Sequence, residues 1–175
     1  MKKIKITLFL TLIANLQISF AQIAPDWETT INGNGDFGDN FKAVVVDANN
    51  NFYVAGYTVN SNTDRDLLVA KFNSNAQLQW KKIFAGTGNG PDEGKKILLH
   101  PNGNVVICGY LNNRSVGNDF FTAMIKPTGD TVWTRSFNSP STNLYDEPNA
   151  ISIDGQGNII VVGDRKSTRL NSSHL

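Results

Sequence analysis

Three carboxylate pairs recur along this chain of 175 residues: Asp36 with Asp39, Asp92 with Glu93, and Asp146 with Glu147. Carboxylates so close in sequence are what the acid–base chemistry of a glycosidase or a lyase uses. Yet Asp39 and Asp92 stand 53 residues apart, and Asp146 follows 54 residues later. A catalytic acid is needed once, whereas a hydrogen-bonding Asp at the start of a strand is needed in every copy of a repeated element. A structural role is therefore expected for all three. The same reasoning removes Asp66 and Asp119, and no catalytic residue is assigned.

Other chemistries fail on pattern. Asn32-Gly33-Asn34-Gly35-Asp36 places oxygen-bearing side chains at alternate positions, which keeps calcium as the one candidate cofactor. An EF-hand loop, however, would need glycine at Phe37 and a bidentate glutamate at Ala43. Gly33-x-Gly35 and Gly86-x-Gly88-x-Gly90 open no helix after a strand, so they read as loop glycines and not as a phosphate cradle. The single cysteine, Cys108, lies in the apolar run Val105-Val106-Ile107-Cys108 and reads as a small buried hydrophobe. With only His100 and His174, no histidine-rich metal site and no Ser-His-Asp set can be assembled. Arg65, Lys95, His100, Arg114 and Tyr145 read as residues without repeat partners in or beside loops. Of these, Arg65, His100, Arg114 and Tyr145 are the candidate binding residues.

The elements that would position these residues follow from the period. Trp27, Trp80 and Trp133 are 53 residues apart each time, and Asn51/Asn104, Gly56/Gly109 and Asp66/Asp119 keep the same step. Asn158 and Gly163 continue it after one inserted residue. The units are 27–79, 80–132 and an incomplete 133–164. Within each, two short β-prone runs flank a turn, such as Ala43–Val46 and Phe52–Gly56 around Asp47–Asn51. The fourth turn residue is Asn50, Gly103 or Gly157, types that accept a positive φ. A second hairpin follows at Leu67–Trp80 and at Phe120–Trp133. There Ala76 takes the place of Gly129 and suits positive φ poorly, so Asn75 is expected to be the left-handed residue and the two turns to differ.

Four antiparallel strands in each unit of about 53 residues point to an all-β fold, with a partial β-propeller of about two and a half four-stranded blades favoured over a β-solenoid or a sandwich of repeated hairpins. The tryptophans are expected near the start of each outer strand, between adjacent sheets. The run Asp47-x-x-x-Asn51-Phe52-Tyr53-Val54-Ala55-Gly56-Tyr57-Thr58, then Asp66–Phe72 and a Trp, resembles the SBBP-type bacterial β-propeller repeat over roughly 27–163. His100, Cys108 and Asp164 depart from that pattern. The resemblance implies an exported or cell-surface bacterial protein. Many such proteins carry a sorting domain for type IX secretion, and their propellers mostly lack assigned chemistry.

The flanks and the bulk numbers agree with export. Lys2, Lys3 and Lys5, an apolar stretch from Ile6 to Ala14, and Ser19-Phe20-Ala21 form a signal-peptide pattern over residues 1–21, with Gln22 the expected mature start. Asn15 and Gln17 interrupt the run before it could span a membrane. Sixteen basic against fifteen acidic residues point to no nucleic acid. Residues 165–175 lose the repeat register and read as a non-native or disordered tail. The function expected is a non-catalytic binding or scaffold module with a protein or glycan partner, secreted or on the cell surface. The alternative is the propeller portion of a larger secreted enzyme whose catalytic residues lie elsewhere. Self-association would complete a ring if the chain is complete.

Overall fold

A computed structural model describes residues 29–33, 38–60, 64–113, 117–137 and 144–165. The signal-peptide residues 1–21, Trp27, most of the calcium-loop candidate (34–36), Arg114 and residues 166–175 lie outside the described residues. The described residues form ten strands and no helix, in two sheets. They are β1 (Asn40–Val46), β2 (Phe52–Val59), β3 (Arg65–Phe72), β4 (Leu78–Phe84), β5 (Glu93–Leu99), β6 (Val105–Asn112), β7 (Gly117–Ile125), β8 (Thr131–Phe137), β9 (Leu144–Ile153) and β10 (Ile159–Arg165). β10 runs through Arg165, one residue into the segment read as tail.

The first sheet is an antiparallel meander in the order β1-β2-β3-β4. β5 to β8 repeat that meander, and the antiparallel β9–β10 hairpin joins them through a short parallel pairing of Gly117 with Leu144 and Asn118 with Tyr145. Period-2 alternation gives each sheet two apolar faces. Tyr53, Ala55, Leu67 and Val69 on one face of the first sheet share a buried cluster with Ile97, Ile107, Phe121 and Ala123 of the second. Phe52, Val54, Leu68 and Phe72, on the opposite face of the first sheet, form a second cluster that Ile31 covers.

Five hairpins turn in the same way. In each, the first turn residue receives an N–H bond from the fourth and donates its own N–H to the carbonyl of the fifth, at 47–51, 73–77, 100–104, 126–130 and 154–158. That closure requires a left-handed fourth residue, and Asn50, Gly103, Gly129 and Gly157 supply it. Ala76 supplies it too, at φ 58°, so the expectation that Asn75 would take this role and that the turns would differ is corrected. A left-handed alanine costs about 1–2 kcal/mol. Burial of its methyl in the cluster with Ile31 and Phe72 offsets about 0.8 kcal/mol of that. Asn73 Oδ1 fixes the rest of the turn by accepting N–H bonds from Asn75 at 3.0 Å and Gln77 at 2.9 Å.

A bulge recurs in β1, β5 and β9. The register slips between Phe41 and Ala43, between Gly94 and Lys96, and between Val162 and Gly163. The extra residues include Lys42 and Lys95, 53 positions apart, so Lys95 has a repeat partner and is not unique to its unit. Bulging re-aims both side chains. Lys42 Nζ lies 5.6 Å over the Tyr57 ring and Lys95 Nζ lies 5.4 Å over the Tyr110 ring.

Trp80, third in β4, fastens the first sheet to the second. Its indole N–H donates to the Pro127 carbonyl at 3.0 Å, and a Cβ added at Gly129 would lie 3.1 Å from the indole. Replacing Trp80 with Phe removes this hydrogen bond and part of the packing, and is expected to cost about 1–2 kcal/mol. Trp133, the equivalent residue in β8, meets no such turn among the described residues, so Trp133→Phe is expected to cost under about 1 kcal/mol. Urea unfolding of the two variants measures the difference.

Candidate functional site

Antiparallel pairing gathers the starts of β1, β3, β5, β7 and β9 and the ends of β2, β4, β6, β8 and β10 at one end of the strands, the loop end, and the five tight turns at the other. At the loop end, Asp39 immediately precedes β1 and Asp92 immediately precedes β5. Asp39 accepts the N–H of Gly33 at 2.7 Å through Oδ2 and that of Val59 at 2.8 Å through Oδ1. Asp92 accepts the N–H of Gly86 and of Asn112, both at 2.6 Å, through the same two oxygens. Asp39 ties the segment before β1 to the end of β2, and Asp92 ties the loop before β5 to the end of β6. Asp92 is 2% exposed, and burial pushes its carboxyl up to about 6 despite the two N–H bonds. Asp146 is buried at the equivalent place in β9, where residue 166 lies outside the described residues. Asp66 and Asp119 repeat as well, accepting the side-chain amides of Asn60 and Asn113.

The sequence-derived candidates separate. Arg65 and Tyr145 lie at the loop end. Arg65 stacks its guanidinium 4.5 Å from the Tyr57 ring centre, and its carbonyl takes the Asp92 N–H at 2.7 Å. Tyr145 is half exposed at the start of β9. His100 lies at the opposite end, in the 100–104 turn, where the other units carry Asp47 and Asp154. Its Nδ1 accepts the Asn102 N–H at 3.2 Å, which leaves the proton on Nε2 to donate to the Gly157 carbonyl at 3.1 Å. It ties two turns together and shares no site with Arg65 or Tyr145. Cys108 is fully buried, and burial pushes its thiol up to about 11, which removes it as a nucleophile.

Around Lys95 a polar cluster crosses from the second unit to the third. Lys95 Nζ stands 3.1 Å from Glu147 Oε2, and the Tyr110 hydroxyl donates to Glu93 Oε2 at 3.4 Å. Burial and the charges of Glu93 and Glu147 hold the Tyr110 phenol well above its ordinary range. The ion pair is about one-third exposed on both sides, so its contribution is below about 1 kcal/mol.

No protein-family model matches the chain, and no curated protein does either. Within the chain, the first unit is the useful comparison for the second. Asn112 stands where the first unit has Val59, and it rebuilds the adjoining loop. Its carbonyl takes the Gly88 N–H at 2.8 Å, its Oδ1 takes the Gly90 N–H at 3.1 Å, and its Nδ2 donates to the Gly117 carbonyl at 2.9 Å. The result is a cleft of about 640 Å³ between the 87–91 loop, Asn112, Gly117 and Tyr145. Sequence reasoning missed Asn112. The available signal was a polar residue where the first unit carries an apolar one. Among the described residues no three His, Cys, Asp or Glu side chains converge on a metal-sized site.

Proposed function

We propose that the chain is a stretch of an exported β-propeller that serves as a non-catalytic binding or scaffold module of a larger secreted or cell-surface protein. The observation that carries this reading is the equivalence of the two carboxylate clamps. Asp39 and Asp92 hold backbone N–H groups at matching positions in successive units, which assigns the recurring acids to the fold. Tandem four-stranded meanders packed face to face are how blades assemble into a propeller. The likeness of 27–163 to SBBP-type repeats and the export pattern of residues 1–21 support the same reading. The loop end, with its cleft and its Lys–Tyr–Glu cluster, is the face offered to a partner.

Turnover tests it. The full chain is incubated with a panel of polysaccharides and aryl glycosides, and new reducing ends and unsaturated products are measured. No turnover above the buffer blank is expected. Turnover that Asp92→Asn abolishes would show that the clamp acid is catalytic and would overturn the reading.

A further inference from the structure

We infer that two copies of this chain join head to tail, the third unit of each packing on the first unit of the other, so that together they close one ring. The inference goes beyond the module reading above and concerns how the chain assembles. The interface inside the chain supplies the pattern. Between the first two units, Ala43, Val45, Tyr53 and Ala55 on β1 and β2 share one apolar cluster with Ile97 and Leu99 on β5. Tyr53 and Ala55 are 1% and 0% exposed there, and Ile97 is 7% exposed. The repeat carries the first of these faces to the third unit as Ala150, Ser152, Ile160 and Val162, with the same strand register. It carries the second to the first unit as Val44 and Val46. At these positions the side chains are exposed. Ile160 and Val162 are 49% and 55% exposed, and Val44 and Val46 are 60% and 56% exposed. The two faces that fit each other inside the chain thus stand open on its first and third units, each the shape the other takes.

The strands that the pattern requires are those the two faces offer. Inside the chain β5 packs mainly on β1 and β2, whose equivalents in the third unit are β9 and β10. The middle of the first sheet's face, at β2 and β3, is already covered from within the chain. Ile31, 53 residues before Phe84, clusters with Leu68 and Phe72, as Phe84 lies against Phe121 with ring centres 5.0 Å apart. That leaves β1 to the partner copy. Polar groups match as well. Lys95, at the bulge of the second unit, meets Glu147 of the third at 3.1 Å. The bulge residue of the third unit is Asn149, and the first unit carries Asn40 where the third has Glu147. Both amides are exposed, and each can donate to the other and accept from it, so the contact between copies buries no lone charge there. A head-to-tail contact uses every such face only if it closes. Two copies of three units make six, within the roughly four to eight blades of a closed propeller.

The test is size-exclusion chromatography with light scattering on the full chain. It is expected to run at twice the mass of one copy, with a dimer Kd on the order of 1 μM. Val44→Lys and Val162→Asp each put a charge into both interfaces, and each is expected to weaken the dimer about a hundredfold or more. Val132→Asp, at an exposed position of β8 on neither face, is expected to leave it unchanged. Mixing Val44→Lys with Val162→Asp is expected to restore the dimer. In the mixed pair one interface is unaltered, and the other sets the new ammonium against the new carboxylate. Circular dichroism confirms that each variant keeps its sheets, and Val46→Lys with Ile160→Asp repeats the comparison where one does not. The inference is overturned by a monomer at about 100 μM, by either charged variant remaining a dimer, or by a mixture that stays monomeric. A mass that keeps rising with concentration also overturns it, since head-to-tail packing then runs on without closing. A monomer leaves the module reading in place.

Discussion

Gly109→Ala is expected to destabilise the protein by about 3–5 kcal/mol. A Cβ at Gly109 would lie 2.0 Å from the Glu93 carbonyl oxygen and 2.9 Å from the Gly94 Cα, both backbone atoms of the neighbouring strand at its bulge. Neither can rotate away, and the surrounding strands are fully packed, so the backbone itself must shift. Gly56 meets the Asn40 carbonyl oxygen at 1.9 Å and Gly163 meets that of Glu147 at 2.1 Å. The recurring glycine is thus the counterpart of the recurring bulge. Gly103 is the control. It has a positive φ and open space around its Cβ, so Gly103→Ala is expected to cost only about 1–2 kcal/mol, the left-handed penalty alone. Urea unfolding followed by tryptophan fluorescence compares the two, and equal losses would refute the bulge-packing explanation.

The second large effect is a pH dependence that resides in Asp92. Burial is the main reason its carboxyl rises to about 6, with the charges of Asp66 and Asp64 adding to the shift and the Gly86 and Asn112 N–H groups opposing it. In the unfolded chain the same group titrates near 3.8. Between those values the folded state holds a proton that the unfolded state has released, so stability falls as pH rises. The contribution is intact below about pH 3.8 and is lost by the time pH has risen through about 6. The loss amounts to about 3 kcal/mol. Asp92→Asn has no such titration. Its stability relative to the unaltered chain is expected to improve by about 2 kcal/mol between pH 4 and pH 7. Parallel stability curves for the two proteins would contradict the burial of this carboxyl.

Much of the architecture could be read from the period. The units, the pairs of hairpins and the positive φ at Asn50, Gly103 and Gly157 follow from turn chemistry at fixed spacing. The placement of Trp80 on the edge strand β4, against the second sheet, follows from the same register. What could not be read depends on contacts between strands. Gly56 and Gly109 recur because of a neighbouring backbone, which no single-strand pattern reveals. β1 begins at Asn40, ahead of the apolar run at Ala43, because the bulge at Lys42 disrupts the alternation that marks a strand. Ala76 adopts a left-handed conformation because hairpin closure and burial outweigh its own preference.

The candidate site was less legible. Arg65 and Tyr145 lie at the loop end, but His100 is a turn residue at the other end, and Asn112 was not selected at all. Asn112 acts through three bonds to groups within and beside the loop, and those partners become visible only once β6 is aligned against β7.

The most direct test of the repeat's structural logic is a crystal structure of the full chain, read at Asp39 and Asp92. The expected result is that each carboxylate accepts two backbone N–H bonds within about 3 Å, with the Tyr53–Leu67 face of the first sheet packed on the Ile107–Phe121 face of the second. Carboxylates turned into the cleft toward solvent or a bound cation would contradict it and return both acids to the list of catalytic or ligating groups.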